Sequence, residues 1–157
     1  MTQRTNFGFV PIGTELPRSK ITVSESLVMR YCSITGTTAP IYTDPKFATA
    51  AGYRALVVPV DMYMQLLRGQ IMQLQRMSKG AGLGASVSIE IIKPFCVGDT
   101  LEATTYLKEL YTKTGRSGKM DFSLWETTLI NECMSKVAVI QHAYVKGDRI
   151  PGDRNGE

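Results

Sequence analysis

Residues 31–77 read YCSITGTTAPIYTDPKFATAAGYRALVVPVDMYMQLLRGQIMQLQRM, and this stretch decides the fold. A short polar loop around Gly36 and Pro40 leads to a start signal at Asp44-Pro45, a capping acid followed by a proline in the first helical turn. Lys46 to Ala51 then reads as a short helix ended by Gly52. Leu56-Val57-Val58 is a brief apolar segment stopped by Pro59. From Val60 the apolar residues Val60, Met64, Leu67, Ile71 and Leu74 recur at helical spacing. Met62, Tyr63, Leu66 and Met72 make the opposite face apolar too, so this helix needs burial on most sides. About 18 residues at roughly 1.5 Å each give about 27 Å of rod, enough to run along a whole sheet.

Outward from that stretch, residues 1–14 read as a loosely held arm. Leu16 to Val23 holds a short strand, which Pro17 confines to an edge. Thr22 and Glu25 have capping-box spacing for a helix start. Leu27, Tyr31 and Ile34 form its apolar stripe, and Gly36 is placed to end it. On the far side, residues 79–85 read KGAGLGA, a flexible connection. Its glycine spacing is superficially that of a phosphate-cradling loop, but such loops follow a strand and open a helix, and this one does the reverse. The remainder is strand-like: Ser86 to Ile92, Thr100 to Thr112, Lys119 to Ile130 and Ser135 to Lys146. The breaks fall at Pro94, Gly98-Asp99, Gly115–Gly118 and Asn131-Glu132. Short turns between successive strands make an antiparallel sheet, and helices first with strands after make an α+β domain. We place that single domain at residues 15–147, with 148–157 as a flexible tail.

A chain of 157 residues that is 43% apolar has enough material for one core and little for two. The net charge of +4 is carried by scattered cations, among them Arg68, Arg76, Lys79, Lys108, Lys113, Arg116, Lys119 and Lys136. Without a dense basic stripe or a nucleic-acid motif, no nucleic-acid partner is expected. Cys32, Cys96 and Cys133 form no CxxC pair and read as free thiols of a reducing compartment. With one histidine and separated cysteines, no metal site is readable. The first residues lack the apolar core of a secretion signal, and no run reaches the about 18 apolar residues of a membrane helix. The expectation is a soluble, cytoplasmic protein.

Tyr31, Thr35, Gly36, Pro40, Ile41, Asp44, Phe47, Ala48, Ala51, Gly52 and Tyr53 fall in order into the frame of a known motif. Lys93-Pro94-Phe95, Val97-Gly98-Asp99-Thr100-Leu101 and Ser117-Gly118-Lys119 continue it. On these residues the chain resembles the MaoC-like hot-dog family of (R)-specific enoyl-CoA hydratases and 3-hydroxyacyl dehydratases. The resemblance implies an antiparallel sheet curled around one long helix, usually paired side by side into dimers. It also implies an acyl-CoA or other acyl-thioester substrate, with coenzyme A as part of that substrate and no further cofactor.

The family's acid–base pair is an Asp and a His of that loop, which exchange protons with a water near neutral pH. Here the Asp position is Thr37, the intervening Asn position Ala39 and the His position Tyr42. Threonine does not titrate in this range, and tyrosine has an unperturbed pKa of about 10. The one histidine, His142, lies on the last expected strand, far from the motif, and reads as structural. Where active members often have His-Gly at the helix entrance, this chain has Pro59-Val60. The pattern resembles the non-catalytic half of fused MaoC dehydratases, or the non-catalytic subunit of two-chain ones. That resemblance implies a partner, a second hot-dog chain carrying the intact Asp and His, and a Met-rich helix adaptable to acyl chains. Tyr42, Val60, Asp61 and Met64 are the expected substrate contacts, although the Met and Leu helix positions also read as plain core. Two other readings stay open. One is a hot-dog thioesterase using Asp61 at the helix N-terminus, where Asp61 otherwise reads as a helix-start acid. The other is a homodimeric acyl-CoA binder without turnover.

Overall fold

The computed structural model describes residues 10–77, 82–116 and 118–147. Five strands form one antiparallel sheet in the order β1-β3-β4-β5-β2. They are β1 Ser19–Thr22, β2 Leu83–Ile91, β3 Thr100–Gly115, β4 Gly118–Asn131 and β5 Lys136–Gly147. Ahead of β2 come α1 Glu25–Thr35, α2 Pro40–Thr43 and α3 Pro45–Ala50. A 3₁₀ turn at Val60–Met62, α4 Tyr63–Leu66 and α5 Arg68–Met77 complete the helices. This is the expected α+β architecture, a sheet folded around a helical rod.

The rod is not one helix. At Leu67 the backbone ψ opens to 5°, and Gly69, a poor helix former, follows within the next turn. Leu67 and Leu74 still point to the same side and are buried. Strand alternation supplies the surface they lie on. Leu101, Ala103 and Leu107 of β3, Trp125 and Leu129 of β4, and Ala138, Ile140 and Tyr144 of β5 all face inward. Met62, Tyr63 and Leu67 pack on the Leu101–Leu129–Ile140 end, and Leu74 on the Leu107–Trp125–Tyr144 end. Thr105 and Thr127, buried between the two ends, bond each other's hydroxyls at 2.7 Å, so inward polar groups here are satisfied by pairing.

Three local expectations shift. The cap of α1 is Ser24, whose Oγ accepts from the Leu27 N–H at 3.3 Å; Thr22 lies in β1 and bonds Thr100 instead. The buried stripe of α1 is Val28 and Cys32, not Leu27, Tyr31 and Ile34. Both stripes have helical spacing, and the one residue of rotation leaves Ile34 75% exposed. Of the connection expected at residues 79–85, Leu83, Gly84 and Ala85 belong to β2, while 79–81 lie outside the described residues. Gly82 is dictated by contact: at φ 81°, a Cβ there would sit 2.4 Å from the Val145 carbonyl oxygen. Of the expected arm, residues 10–14 are described; the Gly13 N–H donates to the Leu107 carbonyl and the Leu107 N–H to that of Thr14. The expected tail, 148–157, lies outside the described residues.

The segment that carries the motif is fixed from both sides. The Val57 N–H donates to the Ile41 carbonyl, the Val58 N–H to that of Phe95 and the Val97 N–H to that of Leu56. Asp99 holds the neighbouring turn by accepting from the Cys96 N–H at 2.7 Å and pairing with Arg54.

Candidate functional site

The loop between α1 and α2 is built by its helix ends. Gly36 closes α1 at φ 71° and ψ 20°, the left-handed region that a glycine enters without penalty. The N–H of Thr37 then returns to the Cys32 carbonyl at 3.0 Å. Thr35 Oγ1 donates to the Tyr31 carbonyl at 2.9 Å, so the 2.8 Å contact with Thr37 Oγ1 is a bond that Thr37 donates. Ala39 caps α2 through its backbone alone, Pro40 opens that helix, and Asp44 Oδ1 accepts from the N–H groups of Lys46 and Phe47 to open α3.

These elements separate the positions of the acid–base pair. Thr37 lines an open groove of about 390 Å³ with Met29, Cys32, Ser33, Gly36, Thr38 and Thr43. Tyr42 does not line it and packs, half-buried, against the main core. Ala39 is exposed and brings no functional group. Cys32 is buried, and that burial pushes its thiol above the usual range, which keeps it protonated and unreactive. The groove therefore presents hydroxyls, a neutral thiol and methyl groups, none of which titrates near neutrality.

At the helix entrance, Val60 is half-buried and Asp61 exposed in the first turn. Burial first, and Asp61's charge second, raise the pKa of Tyr31. Tyr63 is fully buried against Phe95 with ring centroids 4.9 Å apart. Burial pushes its hydroxyl up to about 12, although the Phe95 backbone donates to it. Met64, like Tyr42, packs against the main core and does not line the Thr37 groove. It lines a second cavity, of about 320 Å³, formed by Gly84, Ala85, Ser86 and Val87 of β2 and His142, Ala143 and Tyr144 of β5.

His142 is the residue that reading by sequence distance set aside. It is 2% exposed, and burial lowers its pKa to about 4. The period-two alternation of β5, which puts Ile140, His142 and Tyr144 on one face, is the signal that brings it inward. Among the described residues no group of three or more His, Cys, Asp or Glu could hold a metal ion, and no helix is long and apolar enough to cross a membrane.

Comparison with known proteins bears on this geometry. The family described as "FAS1-like, dehydratase domain region" matches residues 11–139. The structure is similar to that of the C-terminally truncated HadBC (3R)-hydroxyacyl-ACP dehydratase complex of Mycobacterium tuberculosis, with 17% identity and a TM-score of 0.76 over 86% of this chain and 96% of that one. It is similar to the (R)-hydratase of A. caviae involved in PHA biosynthesis, with 17% identity and a TM-score of 0.69 over 87% and 96%. It is also similar to the ChsH1–ChsH2 complex of M. tuberculosis, with 12% identity and a TM-score of 0.67 over 87% and 98%. Curated protein sequences gave no match. The matched region spans the α1–α2 loop, the helical rod and most of the sheet, and on that basis the chain belongs to the FAS1-like dehydratase-region family, on the hot-dog fold of the MaoC-like hydratases and dehydratases.

Proposed function

We propose that this chain is the non-catalytic hot-dog subunit of a heteromeric hydratase or dehydratase acting on acyl-CoA or other acyl thioesters. The observation that carries the reading is the intact α1–α2 frame with Thr37 and Tyr42 at the two acid–base positions. A threonine and a tyrosine are neither the carboxylate nor the imidazole that this proton exchange uses, and the two side chains face different surroundings. The partner supplies the Asp and His; this chain supplies fold, pairing surface and acyl-chain space, in the cytoplasm. The exposed apolar residues Leu27, Met29 and Ile34 of α1, and Leu83, Val87 and Ile91 of β2, are surfaces of the kind a partner covers. Two of the similar structures are complexes by their own descriptions, HadBC and ChsH1–ChsH2.

The test is crotonyl-CoA hydration by the purified chain alone, at high protein concentration, followed by loss of the enoyl-thioester absorbance. No turnover is expected, and native-mass measurement of the complex from the source cells is expected to show a second hot-dog chain. Turnover well above background that is lost in Tyr42→Phe or Asp61→Asn would overturn the reading, because the chemistry would then reside in this chain. An exclusively homomeric complex would favour an acyl-CoA binder instead.

A further inference from the structure

A further cleft opens between the turn that follows β2, the turn that joins β4 to β5, and Arg54, with a volume of about 270 Å³. It uses none of the motif-loop residues and none of the exposed apolar residues of α1 and β2. Its floor is apolar, made by the buried Phe95 and Val137. Four charged side chains stand around it: Arg54, Lys93, Asp99 and Glu132. Two of them satisfy each other, because Asp99 pairs with Arg54 through Oδ1 and accepts the Cys96 N–H through Oδ2. Lys93 and Glu132 are exposed, and among the described residues neither side chain enters an ion pair, with the other or with a neighbour. Their backbones are fixed on different walls. The Ile92 and Lys93 N–H groups both donate to the Val137 carbonyl. Asn131 Oδ1 accepts from the Cys133 and Ser135 N–H groups and so holds the turn that carries Glu132. A free cation and a free anion are thus kept apart over an apolar floor.

With two cations against two carboxylates the cleft carries no net charge, so nothing in it favours a polyanion such as a nucleotide. A ligand that engages both free groups carries a carboxylate and an ammonium, with an apolar part for the floor. We infer that this cleft is a binding site for a free α-amino acid with an aliphatic side chain. The carboxylate meets Lys93 and those guanidinium N–H groups that Arg54 does not direct at Asp99, since a guanidinium offers several donors. The ammonium meets Glu132, and the side chain lies on Phe95 and Val137. At about 30 Å³ per heavy atom, the volume accommodates roughly nine such atoms, the size of leucine. The site is independent of the proposed function.

The test uses the untagged full chain, labelled with ¹⁵N, and three ligands of one shape. These are L-leucine, isocaproate, which lacks the ammonium, and isopentylamine, which lacks the carboxylate. The backbone amide signals around Lys93 and Glu132 are the readout. Leucine is expected to shift them saturably with a Kd of about 1 mM, and each single-charge analogue to bind about tenfold more weakly. Both side chains are exposed, so their variants keep the fold. Lys93→Met and Glu132→Gln are each expected to weaken leucine about tenfold. The analogues separate the two roles: Lys93→Met leaves isopentylamine binding unchanged, and Glu132→Gln leaves isocaproate binding unchanged. Amide signals that leucine leaves in place at about ten times the expected Kd overturn the site. Isocaproate binding as tightly as leucine makes the cleft a plain anion site and overturns it too, as does leucine affinity equal in the parent and both variants. Glycine binding as tightly as leucine removes the apolar floor and with it the assignment.

Discussion

His142 and Tyr42 show how much one side chain's surroundings decide. Burial depresses the folded pKa of His142 to about 4, below the ordinary histidine value of 6.5. A depressed histidine pKa means that the unfolded chain takes up the proton first. Its contribution to stability is therefore complete above pH 6.5 and is lost as pH falls towards 4, by roughly 3 kcal/mol at 1.36 kcal/mol per unit. Denaturation of the parent and His142→Phe at pH 7 and pH 4 checks this. The parent is expected to lose about 3 kcal/mol more than the variant across that interval, and equal losses would place the histidine in contact with water. Tyr42 was legible both as a replacement in the motif and as a packed tyrosine, and it packs against the main core; which residues it packs on was not legible, because the loop's spacing does not specify which way a side chain turns. His142 was read as a structural residue of the last strand, and it lies buried in β5; its depth follows from the period-two alternation. Thr37 and Ala39 needed only the motif frame.

Among the elements, the caps and breaks make separate predictions. Asp44 accepts two backbone N–H bonds at the start of α3, so Asp44→Ala is expected to cost about 1 kcal/mol in chemical denaturation. Gly69 meets nothing within 4 Å of a built Cβ and has no positive φ. Gly69→Ala is therefore expected to stabilise the α4–α5 rod by about 0.5–1 kcal/mol, while Gly82→Ala is expected to destabilise by about 2 kcal/mol or more through its contact with Val145. Melting curves of the two alanine variants should move in opposite directions. The strands and their order of appearance were readable because alternation and turn residues agree. The break at Leu67 was not, because apolar spacing continues through it. The rotation of α1 was not readable either, since Leu27–Tyr31–Ile34 and Val28–Cys32 are equally periodic and only the packing surface chooses between them.

For the whole molecule, the sheet has two unlike margins. β1 is four residues long, preceded by Pro17, and bears Lys20, with Arg18 ion-paired to Glu102 just before it. β2 is nine residues long, exposes Leu83, Val87 and Ile91, and carries Glu90 as its single charge. Placing lysine at both Leu83 and Val87 is expected to return any paired species to the 17.3 kDa mass of the single chain in native mass spectrometry. Retention of the pair would move the pairing face to α1. The difference between the margins also sets a limit on growth. A sheet open at both sides can add copies without end and make fibres. With one side blunted by proline and charge, the first pairing along β2 consumes the accessible edge of each chain, so assembly by strand addition closes at two and cannot propagate.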